Sequence, residues 1–385
     1  MLLKTPTRLL YTTSFLLLAL AVLIFTGFKL SLERQLYPVQ TKDNVCTEAC
    51  IEALMEDKDS PLLKDCPVED KKDRQQSVAK QANLETEAEI LILVWIWPFH
   101  TPFPVDNCES LYGIKNCRIT DDRSQYEQAD AVFFHVRDIS DQIPNLLKMP
   151  RFPLQMWVWV NSEPPSYTPQ LRGAEDLFNL TANYRRDSDI WAPYGRVVKA
   201  TEEEKAFQIP KKDKLVCWIV SHWSDDFKRS IYFKEFSKHI QVEGFGKYFG
   251  RELNRKDFFK IIASCKFYLS FENSIHKDYI SEKVFQPLVL GTVPVVIGPP
   301  RDNYEEFIPR DAFIHIDDFS TPKDLAEHLK AVDQNQEMYE GYFAWRKHFV
   351  AKDGRAEENA CRICEYMRMY KNYRVLKNIN KWYFN

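Results

Sequence analysis

The sequence predicts an α/β protein: two doubly wound domains that face each other, preceded by a membrane-crossing helix and a tether. Three observations predict it. Apolar runs of strand length recur after residue 89, without charge on either face; each run ends in polar or Pro-rich loop chemistry; and stretches of helical pattern alternate with the runs, as buried parallel strands and crossover helices require. At 385 residues the chain exceeds one typical core and accommodates two.

Residues 1–8 carry Lys4 and Arg8 and read as a short cytoplasmic tail. Leu9 to Phe28, LLYTTSFLLLALAVLIFTGF, is 20 residues without a charge, enough to cross about 30 Å of hydrocarbon as a helix. Its length and poor small-x-small pattern favour a single transmembrane signal anchor over a cleaved leader. The positive flank places the bulk of the chain in the lumen or outside. Residues 29–88 are charged and nearly without aromatics, which describes a stem.

Residues 89–205 form the first expected domain, with strands in EILILVWIWPF (89–99), ADAVFFHVRDI (129–139) and QMWVWVNSE (155–163). Residues 206–350 form the second, running from KLVCWIVSHW through the basic stretch DDFKRSIYFKEFSKHI to CKFYLSF, TVPVVIGPP and AFIHIDDF. Residues 351–385 are too short for a domain and are expected to pack back on the first. The ligand site of such sheets lies beyond the carboxyl ends of their strands.

Composition narrows the function. With 52 Lys and Arg against 55 Asp and Glu, a net charge of -3, no global basic field favours nucleic acid, so any anion site is local. Nine cysteines in a lumenal chain read as disulfides. The number is odd, and Cys46, Cys50 and Cys66 lie in the stem, so one thiol is left free or bridges two chains as a homodimer. Asn179-Leu180-Thr181 is the one glycosylation sequon and is expected to carry a glycan.

The densest chemistry is in residues 266–291, KFYLSFENSIHKDYISEKVFQPLVLG, where a buried strand gives way to a run of polar groups. Gly291 ends the following helical pattern. Pro287 leaves two outcomes, a kinked helix or one that starts late, and a late start puts Glu282 and Lys283 at a helix amino terminus, where phosphate is favoured. Ser221, Lys228 and Arg229 repeat the design after KLVCWIVS, so Arg229 and Lys283 could hold a diphosphate from two sides as it leaves. Both pairs also fit a solvated helix face.

Weaker signals receive structural readings. Asp187-Ser-Asp189 matches a metal-holding DxD but follows the polar stretch ANYRR, and Gly244-Phe-Gly246 with Gly250 lacks the apolar helix of a dinucleotide loop. Cys361 and Cys364 could bind zinc or cycle redox, but a lumenal setting favours disulfides with Cys108 and Cys117. Glu163 stands where the strand WVWVN breaks into a Pro-rich loop, and either caps a turn or removes a proton from an acceptor hydroxyl.

FENSIHKDYISEK (271–283) resembles the signature of the α1,3-fucosyltransferases, glycosyltransferase family 10. The resemblance extends from about Glu89 through SLYGIKNC, ITDDRSQY, YRRDSDI, PYG and LVCWIVS. It implies two Rossmann-like domains in the GT-B arrangement, a single-pass type II Golgi membrane enzyme, and an inverting transfer of L-fucose from GDP-β-L-fucose. The implied acceptor is O3 of N-acetylglucosamine in Galβ1,4GlcNAc (type 2 N-acetyllactosamine) chains of glycoproteins and glycolipids, giving Lewis x-type products. The implied alternatives are mixed α1,3/α1,4 transfer and another inverting GT-B glycosyltransferase.

The donor positions match at Tyr194, Ser221, Arg229, Tyr268, Asn273, Tyr279, Glu282 and Lys283, and the base matches at Glu163. Arg137 takes the position that accompanies type 2 specificity. No metal or other cofactor is implied. The disulfides implied are Cys217 with Cys265, and Cys108 and Cys117 with Cys361 and Cys364. The sequence departs from the family's pattern at Val136 and in HTPF (100–103), both on the acceptor side, and at His222 and in Phe285-Gln286-Pro287.

Overall fold

Aromatic and β-branched runs do form the strands, and their registers build two separate parallel sheets. The computed structural model describes residues 88–370 and 373–385. The expected cytoplasmic tail, the anchor, all but the last stem residue and Cys46, Cys50 and Cys66 lie outside that range. Among the described residues no helix is long and apolar enough to cross a membrane.

The first sheet joins β1 (Ile90–Ile96), β2 (Cys117–Thr120), β3 (Ala131–His135), β4 (Met156–Asn161), β5 (Leu180–Asn183) and β6 (Ile190–Trp191) in the order β2-β1-β3-β4-β5-β6. Every pairing is parallel. β3 and β4 are buried along their whole length, which is why they carry apolar residues at consecutive positions and no alternation. Short helices α1 (Cys108–Tyr112) and α2 (Val136–Ile139) lie in its connections. Strand β7 (Gly195–Lys199) then leaves the first sheet.

The second sheet joins β8 (Lys214–Ile219), β9 (Glu243–Phe245), β10 (Cys265–Phe271), β11 (Val293–Ile297) and β12 (Ile314–His315) in the order β12-β11-β10-β8-β9, again all parallel. Helices α3 (Lys228–Phe236), α4 (Arg255–Ser264), α5 (Glu282–Leu290) and α6 (Pro322–Asp333) cover it. Phe236 from α3 and Leu325 and Leu329 from α6 pack with Trp218 and Leu269. On another part of the sheet, Val284, Phe285 and Leu288 of α5 pack with Val296.

The chain then returns. Strand β13 (Phe349–Asp353) pairs antiparallel with β7. Helix α7 (Ala356–Met369) adds Ala360, Cys361 and Ile363 to the core of Ile92, Phe133 and Val158 on one face of the first sheet. Helix α8 (Ile379–Phe384) adds Tyr383 to the core of Leu93, Phe134, Trp157 and Trp159. Disulfides Cys108–Cys361 and Cys117–Cys364 fasten α7 to α1 and β2, and Cys217–Cys265 joins β8 to β10.

Both sheets share one winding. In each, the chain passes from the first strand to an edge and then crosses back to the third, so the winding reverses between β1 and β3, and between β8 and β10. A crevice opens at such a reversal beyond the strands' carboxyl ends.

Two expectations change. Asn179 is 0% exposed: its Oδ1 accepts from the Trp157 amide at 2.7 Å and from Arg151 at 2.6 Å, and its Nδ2 donates to the Arg374 carbonyl at 2.6 Å. The sequon's side chain is thus engaged by protein groups at the entrance to β5, instead of standing free at the surface. Pro287 unites its two outcomes. Helix α5 starts at Glu282 with Ser281 as its cap, so Lys283 is in the first turn, and Pro287 still lies inside the helix. The ring cannot donate to the Lys283 carbonyl four residues back; the buried Ser270 hydroxyl donates to it instead, at 2.6 Å. Gly291 ends the helix in a left-handed conformation, φ 73°.

That substitution of donors is testable. Ser270→Ala should cost about 1–3 kcal/mol, the range for a buried carbonyl left unsatisfied. In a Pro287→Ala background the same change should cost less, because the alanine backbone supplies the missing N–H. Chemical denaturation of the two single variants and the double variant measures the coupling; strictly additive costs would refute it.

Candidate functional site

The second sheet's site is built on one carboxylate. Glu272, the first residue past β10, is 2% exposed. Its Oε1 accepts the Ser281 amide at 2.8 Å, its Oε2 accepts the Ser281 hydroxyl at 2.9 Å, and the Lys283 ammonium stands 3.3 Å away. Lys283 also donates to Ser281 Oγ at 3.0 Å and to Glu282 at 3.1 Å. Burial alone would lower the Lys283 ammonium, but Glu272 and Glu282 outweigh it and raise the group above the usual lysine range. Lys283 is therefore a fixed cation at the amino terminus of α5.

Arg229 approaches from the other side of the reversal. It is 4% exposed and hydrogen-bonds the carbonyls of Phe271, at 3.3 Å, and His222, so it spans the ends of β10 and β8. Its Nε is buried without a partner. Burial lowers its pKa, and the field of Glu272 raises it. Ser221 is exposed just past β8, and Asn273 follows Glu272 with a buried, unpartnered Oδ1. Two cations and unmet polar groups thus converge on the crevice between β8 and β10, a suitable setting for an anion with hydrogen-bonding oxygens.

The tyrosines have different placements. Tyr268 is buried within β10 against Cys217 and Ile262. Tyr279 stands 5.2 Å from Tyr184 and 6.0 Å from Tyr194, ring to ring, while the Tyr194 hydroxyl donates to the Ser162 carbonyl at 2.6 Å. This aromatic group joins the loop after β10 to the first sheet. Burial raises all three hydroxyls, Tyr194, Tyr268 and Tyr279, above the usual tyrosine range.

Asp278 completes the joint, and sequence reasoning gave it no role. It sits at φ 62°, a left-handed conformation that Asp tolerates better than most residues. Its carboxylate takes the Asn303 Nδ2 at 2.8 Å and the Arg186 amide at 3.0 Å. Glu272 was missed as well. Both lie inside the quoted motif, where a carboxylate that binds a ligand and one that holds the loop look alike.

Glu163 follows β4 on the first sheet. Its backbone is clamped: its N–H donates to Asn161 Oδ1 at 3.2 Å, and its carbonyl accepts from Asn161 Nδ2 at 3.0 Å, from Thr168 at 3.2 Å and from the Tyr383 hydroxyl. The side chain takes no part in this capping and makes no hydrogen bond among the described residues, so the turn-capping reading of Glu163 does not hold. Burial raises the carboxyl pKa; Arg137 and Lys283 partly offset this, and Glu282 adds to it. An uncommitted carboxylate therefore lies in the field of the second sheet's lysine. The loop it heads touches the second sheet's loops, with Ser166 Oγ 2.6 Å from His276 Nε2 and Tyr167 6.1 Å from His222, ring to ring.

Arg137 is exposed on α2, its guanidinium 5.3 Å from the Phe99 ring. The loop beneath is held by Asp138, which accepts the Phe99 amide at 2.7 Å and lies 2.6 Å from His135 Nδ1. Asp187 and Asp189 are engaged elsewhere: Asp187 with Arg185 at 2.6 Å, and Asp189 with Thr181 at 2.8 Å and Arg374 at 2.5 Å. No cluster of three or more metal-ligating side chains occurs among the described residues. Gly246, φ 90°, packs against the end of β8, where a Cβ would meet the Val220 carbonyl at 2.5 Å.

An anion crevice on one sheet facing a free carboxylate on the other is the layout of a group transferase. The family described as "Fucosyltransferase, N-terminal" matches residues 87–195, and "Glycosyltransferase family 10 (fucosyltransferase) C-term" matches residues 209–382. The chain belongs to glycosyltransferase family 10, the fucosyltransferases. Over 298 residues it is 47% identical to 4-galactosyl-N-acetylglucosaminide 3-alpha-L-fucosyltransferase 9 of Mus musculus, covering 77% of this chain and 83% of that protein. The Homo sapiens protein of the same name gives the same identity and coverage. A solved α1,3-fucosyltransferase with GDP-fucose superposes with a TM-score of 0.50 over 77% of this chain and 94% of its own, at 14% identity, a likeness of fold alone.

The electrostatics give a direct expectation. Followed by the 13C shift of its carboxyl, Glu163 should titrate above an exposed glutamate. Arg137→Gln should push that midpoint higher, because losing a nearby cation disfavours the carboxylate. A midpoint at the ordinary glutamate value in both proteins would contradict the placement of Glu163.

Proposed function

We propose that this chain is an inverting α1,3-fucosyltransferase that moves L-fucose from GDP-β-L-fucose to O3 of N-acetylglucosamine in type 2 N-acetyllactosamine chains of glycoproteins and glycolipids, forming Lewis x-type structures. One observation carries the reading: the uncommitted Glu163 carboxylate faces a crevice held by Lys283 and Arg229. The name and close identity of the mammalian relatives supply the sugar and the linkage.

In this reading the two sheets are Rossmann-like domains in the GT-B arrangement. Arg229 and Lys283 hold the diphosphate, with Ser221, Asn273, Glu282, Tyr194, Tyr268 and Tyr279 forming or backing the donor site. Glu163 accepts the proton of the acceptor O3–H as that oxygen bonds to the anomeric carbon. The carbon–phosphate oxygen bond breaks on the opposite face, its electron pair leaves with GDP, and β becomes α. The cations neutralise the departing charge, so the scheme gives no step to a metal, in keeping with the engagement of Asp187 and Asp189 by protein groups.

The Leu9–Phe28 run and the disulfides support a single-pass type II protein of the Golgi membrane with a lumenal catalytic region. Among the described residues the six cysteines are bonded to one another; the stem holds an odd number, Cys46, Cys50 and Cys66, so one of these is the candidate for joining two copies.

Radiolabel transfer from GDP-fucose, compared with UDP-sugars, tests the donor. Glu163→Gln should keep GDP affinity and lose about 100- to 10,000-fold in turnover, the usual worth of a general base. Lys283→Ala should weaken GDP binding itself. Near-normal turnover in the first variant would move the base elsewhere, and unchanged GDP affinity in the second would remove Lys283 from the phosphate.

Arg137 bears on linkage. Type 1 and type 2 acceptors exchange galactose and the reactive hydroxyl around one ring, so a charged guanidinium and a flat indole favour different faces. Type 1 chains should be poor substrates, and Arg137→Trp should narrow the preference in kcat/KM. Strong α1,4 products from the unmutated enzyme would favour the mixed-linkage reading.

A further inference from the structure

The carboxyl end of α5 meets two further cations, and neither has a carboxylate partner among the described residues. A cavity of about 850 Å³ lies among residues 205–212, the helix Gln336–Gly341 and the turn Ala344–Lys347, with Arg346 and Lys212 on its wall. From there both reach the last turn of α5. Arg346 Nη2 donates to the Leu288 carbonyl and, at 3.3 Å, to the Val289 carbonyl. Lys212 donates to the carbonyls of Ala263 at 2.8 Å and Gly291 at 2.6 Å, and to the Thr292 hydroxyl at 2.9 Å. Cations are favoured at such a helix end.

Capping the helix accounts for Lys212, whose three N–H donors are all spent. It accounts for only part of Arg346. That side chain is 6% exposed, yet its Nε is buried without a partner and its Nη1 makes no hydrogen bond among the described residues. The guanidinium carbon stands 3.7 Å from the Phe207 ring and 4.8 Å from the Trp345 ring, so aromatic groups hold it in place. Unmet donors of this kind cost free energy, and a guanidinium edge matches the oxygens of phosphate and sulfate.

Other charges on the wall leave this demand unmet. Lys205 pairs with Glu202 and Lys266 with Asp333, each at 2.6 Å. Glu337 and Glu340 line the cavity but form no ion pair with Arg346 or Lys212 among the described residues, and Lys347 adds an exposed cation. Burial, with Arg346 adding to it, pushes the Lys212 ammonium down to about 7, as befits a cation without a countercharge.

We propose that this cavity is a second anion site, in which Arg346 hydrogen-bonds a phosphate or sulfate monoester whose organic body lies along Phe207 and Phe343. It is separate from the donor crevice, because α5 has nine residues, about 13 Å of helix, with Lys283 in its first turn and the Arg346 contacts in its last. At the amino end of α5 Glu272 supplies the countercharge; at the carboxyl end the ligand does.

The experiment titrates the full chain calorimetrically with 4-nitrophenyl sulfate and with inorganic sulfate, at constant ionic strength. The ester should bind at one site, about tenfold tighter than the bare ion, because its ring is buried as well. Arg346→Lys keeps a cation for the α5 carbonyls but loses the guanidinium edge, and should weaken the ester about tenfold. Lys347→Glu alters only an exposed side chain and should weaken it about threefold, so the test survives if the first variant does not fold. Affinity should fall as the pH rises through about 7, where Lys212 loses its proton while the ester keeps its charge; no histidine lines the cavity. Lys283→Ala should leave ester binding unchanged. Undiminished binding in both wall variants, or none by the unmutated chain, overturns the site; equal affinity for ester and bare ion overturns the monoester; and loss of binding in Lys283→Ala returns the anion to the donor crevice and overturns the second site.

Discussion

The buried Glu272 carboxylate is the constraint on which the second sheet's chemistry depends. It holds the cap of α5 through both Ser281 hydrogen bonds, aims the Lys283 ammonium, and supplies the countercharge that makes a buried Arg229 tolerable nearby. A buried arginine and a half-buried lysine without such a partner would repel each other, and the lysine would tend to lose its proton. With it, the crevice holds positive charge before any anion arrives. The serine that relieves Pro287 sits two residues earlier on the same strand, so the end of β10 supports both the backbone and the charge of the first turn of α5.

The two halves of the molecule solve one geometric problem twice. Each sheet winds outward, reverses and winds on, and each reversal leaves a crevice where loops present side chains without strand pairing to satisfy. In the second sheet those side chains are cationic; in the first they are aromatic and neutral, beside one free carboxylate. The joint between them is made by a few contacts: Asp278 on the Arg186 amide, Tyr194 on Ser162, and Ser166 against His276. They set the distance across which a proton acceptor and a diphosphate site would act together.

Much of this was legible in the sequence because strands buried on both faces leave unbroken apolar runs, and AVFFH, MWVWV and CKFYLSF all become strands. The cluster after β10 was visible as an abrupt change of composition. What could not be read was which polar groups turn inward. Asn179 carries a complete sequon and yet lies under Arg151 and Arg374, and nothing in the motif marked Glu272 and Asp278 as the residues that hold the loop. Burial of a polar side chain is decided by distant elements, here Arg374, Arg186 and Asn303, and leaves no local pattern. Pro287 shows the same limit, since the hydroxyl that relieves it comes from a neighbouring strand.

The return of residues 356–384 to the first sheet also has a bearing on synthesis. The strands of that sheet are complete by residue 191, but Cys361 and Ile363 on one face and Tyr383 on the other arrive much later. The second sheet and its covering helices, ending with α6 at Asp333, emerge before either face is closed. The order of assembly is therefore inverted: the region made first stays open, with half-formed cores and the unpaired thiols of Cys108 and Cys117, while the region made second can already fold. During that interval its exposed apolar faces are open to misassembly, and the backbone clamp on Glu163 closes only when Tyr383 has emerged.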